Sequence, residues 1–480
     1  MPNLSLPGNP RYQPQNLVPF FGYDNNMRFV AQVEIATMET LGEIGIIPKK
    51  DIDLLDAVLK EKLLSITTSE VDEVERKVTK HDIRAWVQIA QGHLPPQLRR
   101  WVHVPLTSYD ALDTARALQF KRAHIMVVSP LVCGLITQLR WKVAEHADTI
   151  QIGRTHGQHA LPITVGFWLA TILNRIGTNA ARMDGAAKML SGKISGAVGA
   201  YNAQEGLGII KCSGETSFED RVLKKLGLRS ARISTQILPP ENLGYYLFSA
   251  TMLSASLAQL GRDARHLMRT EIGEIGEPFA EGQVGSSTMA HKRNPINFEN
   301  LEGMSIRTKN EFGKVLDTLV SEHQRDLVGS SVARDYPIVI VNLVHQLNTL
   351  LRAKIGETSF LEKIGVDKEA CNRNFDMQAN VITAEPVYIA LQMAGYEGDA
   401  HHLVNHQAVK IAKAKSIPLI TAIEEIARKD TEVEKALHAI SPEIRELLSD
   451  PHLYTGLASE KAMVICEDAR KYLNEERNWT

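Results

Sequence analysis

Gly285-Ser286-Ser287-Thr288-Met289-Ala290-His291-Lys292-Arg293-Asn294-Pro295 is the stretch on which the reading of this 480-residue chain turns. Gly and Pro bound it, and those residues punctuate a loop rather than a helix interior. Inside lie two serines, a lysine and an asparagine. A serine hydroxyl is a poor base in water. On a loop with clustered backbone N–H groups and a nearby ammonium, its oxyanion becomes accessible. Lys292 supplies such a charge and Asn294 an amide donor. The set suits binding and deprotonating a carboxylate-bearing molecule.

Around this loop the chain reads as helical. Val30, Val33, Met38 and Leu41 share one helix face that ends near Gly45 and Pro48. Val128, Leu131, Leu135 and Leu139 recur at helical spacing, as do Leu253, Leu257, Leu260 and Leu267. Pro130 belongs at a kink or a helix start. Apolar stripes along 115–145, 165–190, 244–270, 302–323 and 336–355 predict a core of long helices, and strand-like alternation is scarce. The expectation is an all-α protein of three helical domains. These are 1–115 with an irregular N-terminal arm, a central long-helix bundle at 116–372 carrying the loop and forming an oligomer core, and 373–480.

Composition sets the outer bounds. Apolar residues make up 44%, charged residues 23%, aromatics 6%, and net charge is −2. Such a balance disfavours non-specific nucleic-acid binding. Cys133, Cys212, Cys371 and Cys466 are far apart and form no CxxC pair, which fits a reducing compartment. No secretory signal pattern opens the chain, and no apolar run is expected to reach the length of a membrane span. The expectation is a cytoplasmic protein with neither nucleic-acid nor membrane partners.

Four further clusters carry chemistry. Gly153–Thr164 holds Thr155, His156 and His159 and precedes an apolar helix, so it is expected as a loop at a helix end. Threonine with histidine can bind a carboxylate and pass a proton. The alternatives are a His-x-x-His metal pair or plain loop histidines. No further ligand stands at matched spacing, and His402 with His406 reads as a solvated helix face. Thr79-Lys80-His81-Asp82 places a carboxylate beside an imidazole, where it can fix the tautomer. In His103–Asp110, Thr107 and Ser108 are donors to a carboxylate or phosphate, or alternatively helix caps. In Glu322–Arg334, Arg325 and Arg334 flank Ser330 and Ser331. Paired guanidiniums and hydroxyls suit a phosphate; the alternative is surface arginines paired with Glu322 and Asp326.

In this order the clusters resemble those of the fumarase/aspartase superfamily, and within it the adenylosuccinate lyase family. The resemblance runs over almost the whole chain through Thr79–Asp82, Leu106–Thr114, Gly153–Gly166, Gly192–Gly199, Gln236, Gly285–Pro295 and Arg325–Arg334. It implies cleavage of adenylosuccinate to AMP and fumarate, and of the succinylated aminoimidazole carboxamide ribotide, without metal or organic cofactor. It also implies a homotetramer whose sites gather residues from different subunits.

The resemblance further implies roles. Ser286 matches the general base, His156 the general acid, and His81 a histidine that assists it. Lys292, Asn294, Thr107, Ser108 and Thr155 match contacts to the succinyl carboxylates. Gln236 matches a substrate contact, with Lys80 and Asp82 beside His81. Arg325, Ser330 and Arg334 match the groups around the ribose phosphate, and Glu299 an orienting acid. Ala290, Pro105, Gly329 and Leu238–Glu241 depart from the usual pattern, and Arg11-Tyr12 is a displaced candidate for an N-terminal nucleotide contact. A sibling lyase acting on another fumarate adduct, or an inactive structural homologue, stands as the alternative.

Overall fold

The computed structural model describes residues 2–278, 289, 291–353, 357–474 and 479. Ser286 and Ala290 lie outside them. Among the described residues the architecture is all-α, with three small two-stranded sheets. The apolar stripes become helices. After α1 (Asn26–Glu43) and α2 (Asp82–His93) come α3 (Ser108–Ala123), α4 (Ser129–Glu145), α5 (Val165–Met189), α6 (Glu241–Leu267), α7 (Ile296–Asp317) and α8 (Pro337–Leu351). Pro130 falls at the start of α4, directly after a wider helical turn that accommodates a residue without an N–H donor. A π-helical turn at His124–Val128 joins α3 to α4.

One expectation is corrected here. The continuous helix Ser108–Glu145 contains a window of 18 residues apolar enough to cross a membrane by length and composition. Half of that window is buried within the protein, as in the core helix of a globular domain.

The chain divides into two compact units. The first comprises Met1–Leu135, Thr178–Ala258 and Asn300–Arg352; the second comprises Ile136–Gly177, Gln259–Glu299 and Ala353–Thr480. In the first unit the stripe read from sequence on α1 (Val30, Val33, Met38, Leu41) is buried. Each such side chain contributes about 1.5–3 kcal/mol relative to exposure. Aromatic rings continue this core. Phe21 and Phe120 lie 5.1 Å apart, and Phe120 meets Tyr246 edge-on at 6.0 Å. His103 adopts φ +66° and is held by buried Glu34, at 3.0 Å from its backbone N–H and 2.7 Å from Nδ1.

The second unit holds a β-hairpin and a helical cluster. Strands β1 (Ile150–Thr155) and β2 (Gln158–Thr164) pair antiparallel. Val387, Leu391, Val404, Leu419, Ile423 and Val433 form a separate core in the C-terminal helices. His402 and His406 are exposed there, with ring centroids 5.0 Å apart.

Candidate active site

Site residues in the first unit meet at the start of α3. Thr107 is its N-cap, and the Thr107 N–H donates to Asp110 at 2.8 Å. The capping alternative therefore holds for Thr107. Asp110 is fully buried and does more than cap. Its carboxylate accepts from the backbone N–H groups of Ser195 (3.1 Å) and Gly196 (3.2 Å), and from the Lys193 ammonium. This ties the helix start to the glycine-rich 192–199 segment. A buried carboxylate so fully satisfied is a rigid anchor.

Ser108, one residue on, is turned outward. Its Oγ lies 3.4 Å from His81 Nε2. His81 is itself the N-cap of α2, and its Nδ1 lies 3.2 Å from Asp82 Oδ1 and 3.5 Å from the Arg84 N–H. The preceding Lys80 takes a left-handed conformation, φ +54°, which ends the π-turn Glu75–Thr79 and aims the chain into α2. The Lys80 ammonium folds back onto the Arg76 carbonyl. The imidazole is about half exposed, so a ligand can reach it.

Tyr109, the next residue, faces the arginine–serine segment. Its hydroxyl is 2.7 Å from Ser330 Oγ, and the Arg325 guanidinium sits 3.6 Å over its ring. Arg325 also donates to Gln236 Oε1 at 3.2 Å, while its Nε is buried without a partner among the described residues. Asp326 is engaged by backbone instead of arginine, accepting from the N–H groups of Glu322 (2.8 Å) and Val328 (2.7 Å). Arg334 is exposed. Burial pushes the Glu75 carboxyl up, Asp82 and Asp72 add to this, and Arg334 and His81 oppose it. Arg334 and His81 thus act on one shared electrostatic neighbourhood.

A cavity of about 110 Å³ adjoins this cluster and is lined in part by Tyr109, Ser330, Gly329, Asp113, Leu238 and Pro239. Burial pushes the Asp113 carboxyl up, against the pull of Arg116 and the Leu238 N–H. Tyr12 packs edge-on against His345 at 4.9 Å, with the Arg307 guanidinium 5.1 Å over its ring.

In the second unit the Gly153–Thr164 cluster is a hairpin, not the loop expected at a helix end. Thr155 pairs with Gln158, leaving His156-Gly157 as a two-residue turn with φ +54° and +77°. Positive φ at both central positions gives the twist a tight hairpin needs, and glycine takes it without cost. Thr155, His156, Gly157 and Gln158 are all exposed at this tip. The base of the hairpin is fixed by fully buried Glu274, which accepts from Arg154 at 2.6 and 3.1 Å, from Gln151 at 2.8 Å and from Asn374 at 2.8 Å. Burial and the Arg154 charge hold the His159 pKa below its ordinary value.

Of the signature loop, Lys292 is exposed and Asn294 half-buried just ahead of α7. Glu277 anchors that helix start, accepting from the N–H groups of Asn297 and Phe298, each at 2.8 Å, and from Asn297 Nδ2 at 2.6 Å. Glu299 is exposed on the first turn. Sequence reasoning passed over Tyr109, Glu274 and Glu277. The acids carried no motif, whereas Tyr109 stood inside a quoted cluster, next to the capping pair.

The profile of the lyase family matches residues 25–309. An adenylosuccinate lyase of Pyrococcus horikoshii is 32% identical over 465 residues, 95% of this chain and 96% of that protein. One of Bacillus subtilis is 31% identical, covering 90% of this chain and 94% of that one. The chain belongs to the adenylosuccinate lyase family. Solved structures agree on the fold. A 3-carboxy-cis,cis-muconate lactonizing enzyme of Pseudomonas putida superposes with a TM-score of 0.78 at 23% identity, over 96% of this chain and 98% of that one. The α3 start carries two groupings: Ser108 beside His81, and Tyr109 beside Arg325 and Ser330.

Proposed function

We propose that the chain cleaves adenylosuccinate to AMP and fumarate, and the succinylated aminoimidazole carboxamide ribotide to its carboxamide and fumarate, by β-elimination. One observation carries the reading: consecutive residues of one helix start, Ser108 and Tyr109, join an imidazole to a phosphate-type arginine–serine set. A nucleotide carrying a succinyl group needs both ends held at once. Guanidiniums and hydroxyls suit the phosphate, and Ser108, Thr107 and Thr155 suit the carboxylates.

In this reading Ser286 removes the proton from the carbon beside the carboxylate. Lys292 and Asn294 stabilise the negative charge that develops there. His156 gives a proton to the departing nitrogen as the C–N bond breaks, and His81 assists, its orientation set by Asp82. Gln236, Arg325, Ser330 and Arg334 hold the nucleotide, with Lys80 at the edge of the His81 turn. The chemistry calls for no cofactor.

The reading extends to assembly. His156 stands at an exposed hairpin tip, a placement that suits a residue delivered to a neighbouring subunit's site. Tyr245, Phe248 and Met252 are exposed along one face of α6, and such apolar stripes mark association surfaces. We therefore propose a homotetramer with shared sites, whose core is the central one of three domains (1–115, 116–372 and 373–480). Four cysteines far apart in sequence, with no CxxC pair, suit a reducing, cytoplasmic setting. Incubating the purified protein with adenylosuccinate and following AMP and fumarate tests the function.

A further inference from the structure

We propose that Tyr109 is a positioning residue that presents Arg325 and Ser330 to the substrate's phosphate; this rests on the phosphate reading above. Tyr109 touches both groups at once. Its hydroxyl is 2.7 Å from Ser330 Oγ, and its ring lies 3.6 Å beneath the Arg325 guanidinium. The side chain is buried, and both contacts are partly shielded from water, which strengthens them. Among the described residues Arg325 also donates to Gln236 at 3.2 Å, and its Nε is buried without a hydrogen-bond partner there.

The physical consequence is preorganisation. An arginine side chain loses much rotamer freedom when it closes on an anion. A guanidinium already stacked on a ring has lost part of that freedom before the ligand arrives. The same holds for Ser330. Its hydroxyl shares a hydrogen bond with the phenol, which leaves the remaining donor or acceptor capacity of Ser330 aimed in a defined direction. Tyr109 also sits directly between Ser108 and Asp110 in sequence. The Asp110 carboxylate, which holds the Thr107 N–H and the backbone N–H groups of Ser195 and Gly196, therefore fixes the platform under Arg325 as well.

The test uses Tyr109→Phe, which keeps the ring and removes the hydroxyl, and Tyr109→Leu, which removes both. With adenylosuccinate, KM rises about three- to ten-fold for Phe, the worth of one hydrogen bond, and further for Leu, while kcat stays within about two-fold because the elimination step does not use the phosphate. Inhibition by AMP weakens by the same factors. Inhibition by fumarate, which carries no phosphate, is unchanged. Fumarate inhibition weakening in step with that of AMP would show general damage to the site and overturn the proposal, as would an unchanged KM in both variants. Arg334→Ala is measured alongside. If it raises KM and the Tyr109 variants do not, Tyr109 alone is misassigned. If it too is silent, the phosphate reading itself fails.

Discussion

Ser108 Oγ lies 3.4 Å from His81 Nε2, bringing together the starts of two helices that are 27 residues apart in sequence. The separation is long for a hydrogen bond and leaves the serine hydroxyl free to turn toward a ligand. Each residue is held from behind: Ser108 by the Asp110 anchor, His81 by its capping position on α2. An imidazole and a hydroxyl fixed this way form an open mouth rather than a closed internal pair. That is what a site for a dicarboxylate arm requires.

Phosphate recognition gives the first prediction. Each charge-assisted contact to the nucleotide is worth on the order of 1.5–3 kcal/mol. Arg334→Ala and Arg325→Ala should each raise KM for adenylosuccinate about ten-fold or more with the fold intact by circular dichroism. The effect of Arg325→Ala should be partly shared with Tyr109 variants, because the two side chains are in contact and their energies do not add.

Acid and base assignments give the second. Ser286→Ala should bind substrate normally and turn over several orders of magnitude more slowly, since it loses the proton acceptor and no binding contact. His156→Ala should behave likewise. Mixing the two inactive proteins and allowing subunits to exchange should restore activity, because a shared site can then receive His156 from one parent chain and Ser286 from the other. Failure of every mixture to recover, with exchange verified, contradicts shared sites.

The hairpin gives the third prediction. Glu274 is fully buried and binds Arg154, Gln151 and Asn374. Glu274→Ala leaves the Arg154 charge without its partner, at a cost of about 3–5 kcal/mol. The denaturation midpoint should fall accordingly. Turnover should fall as well, since the same acid fixes the base of the hairpin whose tip is His156. A variant with wild-type stability would show that the network is not the anchor described.

His345 gives a pH signature. Burial, then the charges of Arg307 and Arg352, hold its pKa below the ordinary 6.5. Below pH 6.5 the unfolded chain takes up a proton that the folded chain resists, so stability rises with pH across that range. The contribution is present above 6.5 and is lost as pH falls toward the depressed pKa. His345→Gln can keep a bond to Asn300, which His345 Nε2 contacts at 3.2 Å, and removes the titration. Its urea midpoint should drop less between neutral and mildly acidic pH than that of the wild type. Parallel curves for the two proteins would contradict this.

The long helices were legible because their apolar positions repeat with the helical period; the α1 face of Val30, Val33, Met38 and Leu41 is buried as read. The hairpin was not. Its turn is His156-Gly157, where the sequence signal for a tight turn usually has asparagine or aspartate before glycine. The membrane-length apolar stretch within Ser108–Glu145 was missed although the stripe along 115–145 is legible, because Pro130 reads as a kink or a helix start, whereas the π-turn at His124–Val128 carries the helix on without a break. Individual site residues were visible as clusters. Their meeting was not, since Tyr109 and Ser330 are 221 residues apart in sequence, and only the tertiary fold brings the phenol to the serine. Ser286 lies outside the described residues, so the proposed base rests on the sequence of its loop.

The most direct measurement is a product assay on the purified protein. Adenylosuccinate is supplied alone, and AMP and fumarate are quantified against time. The account predicts equal molar appearance of both, loss of that activity in Ser286→Ala, and no comparable activity on a fumarate adduct that lacks a phosphate. A folded wild-type protein that forms no fumarate from adenylosuccinate, or one that cleaves the phosphate-free adduct equally well, contradicts it.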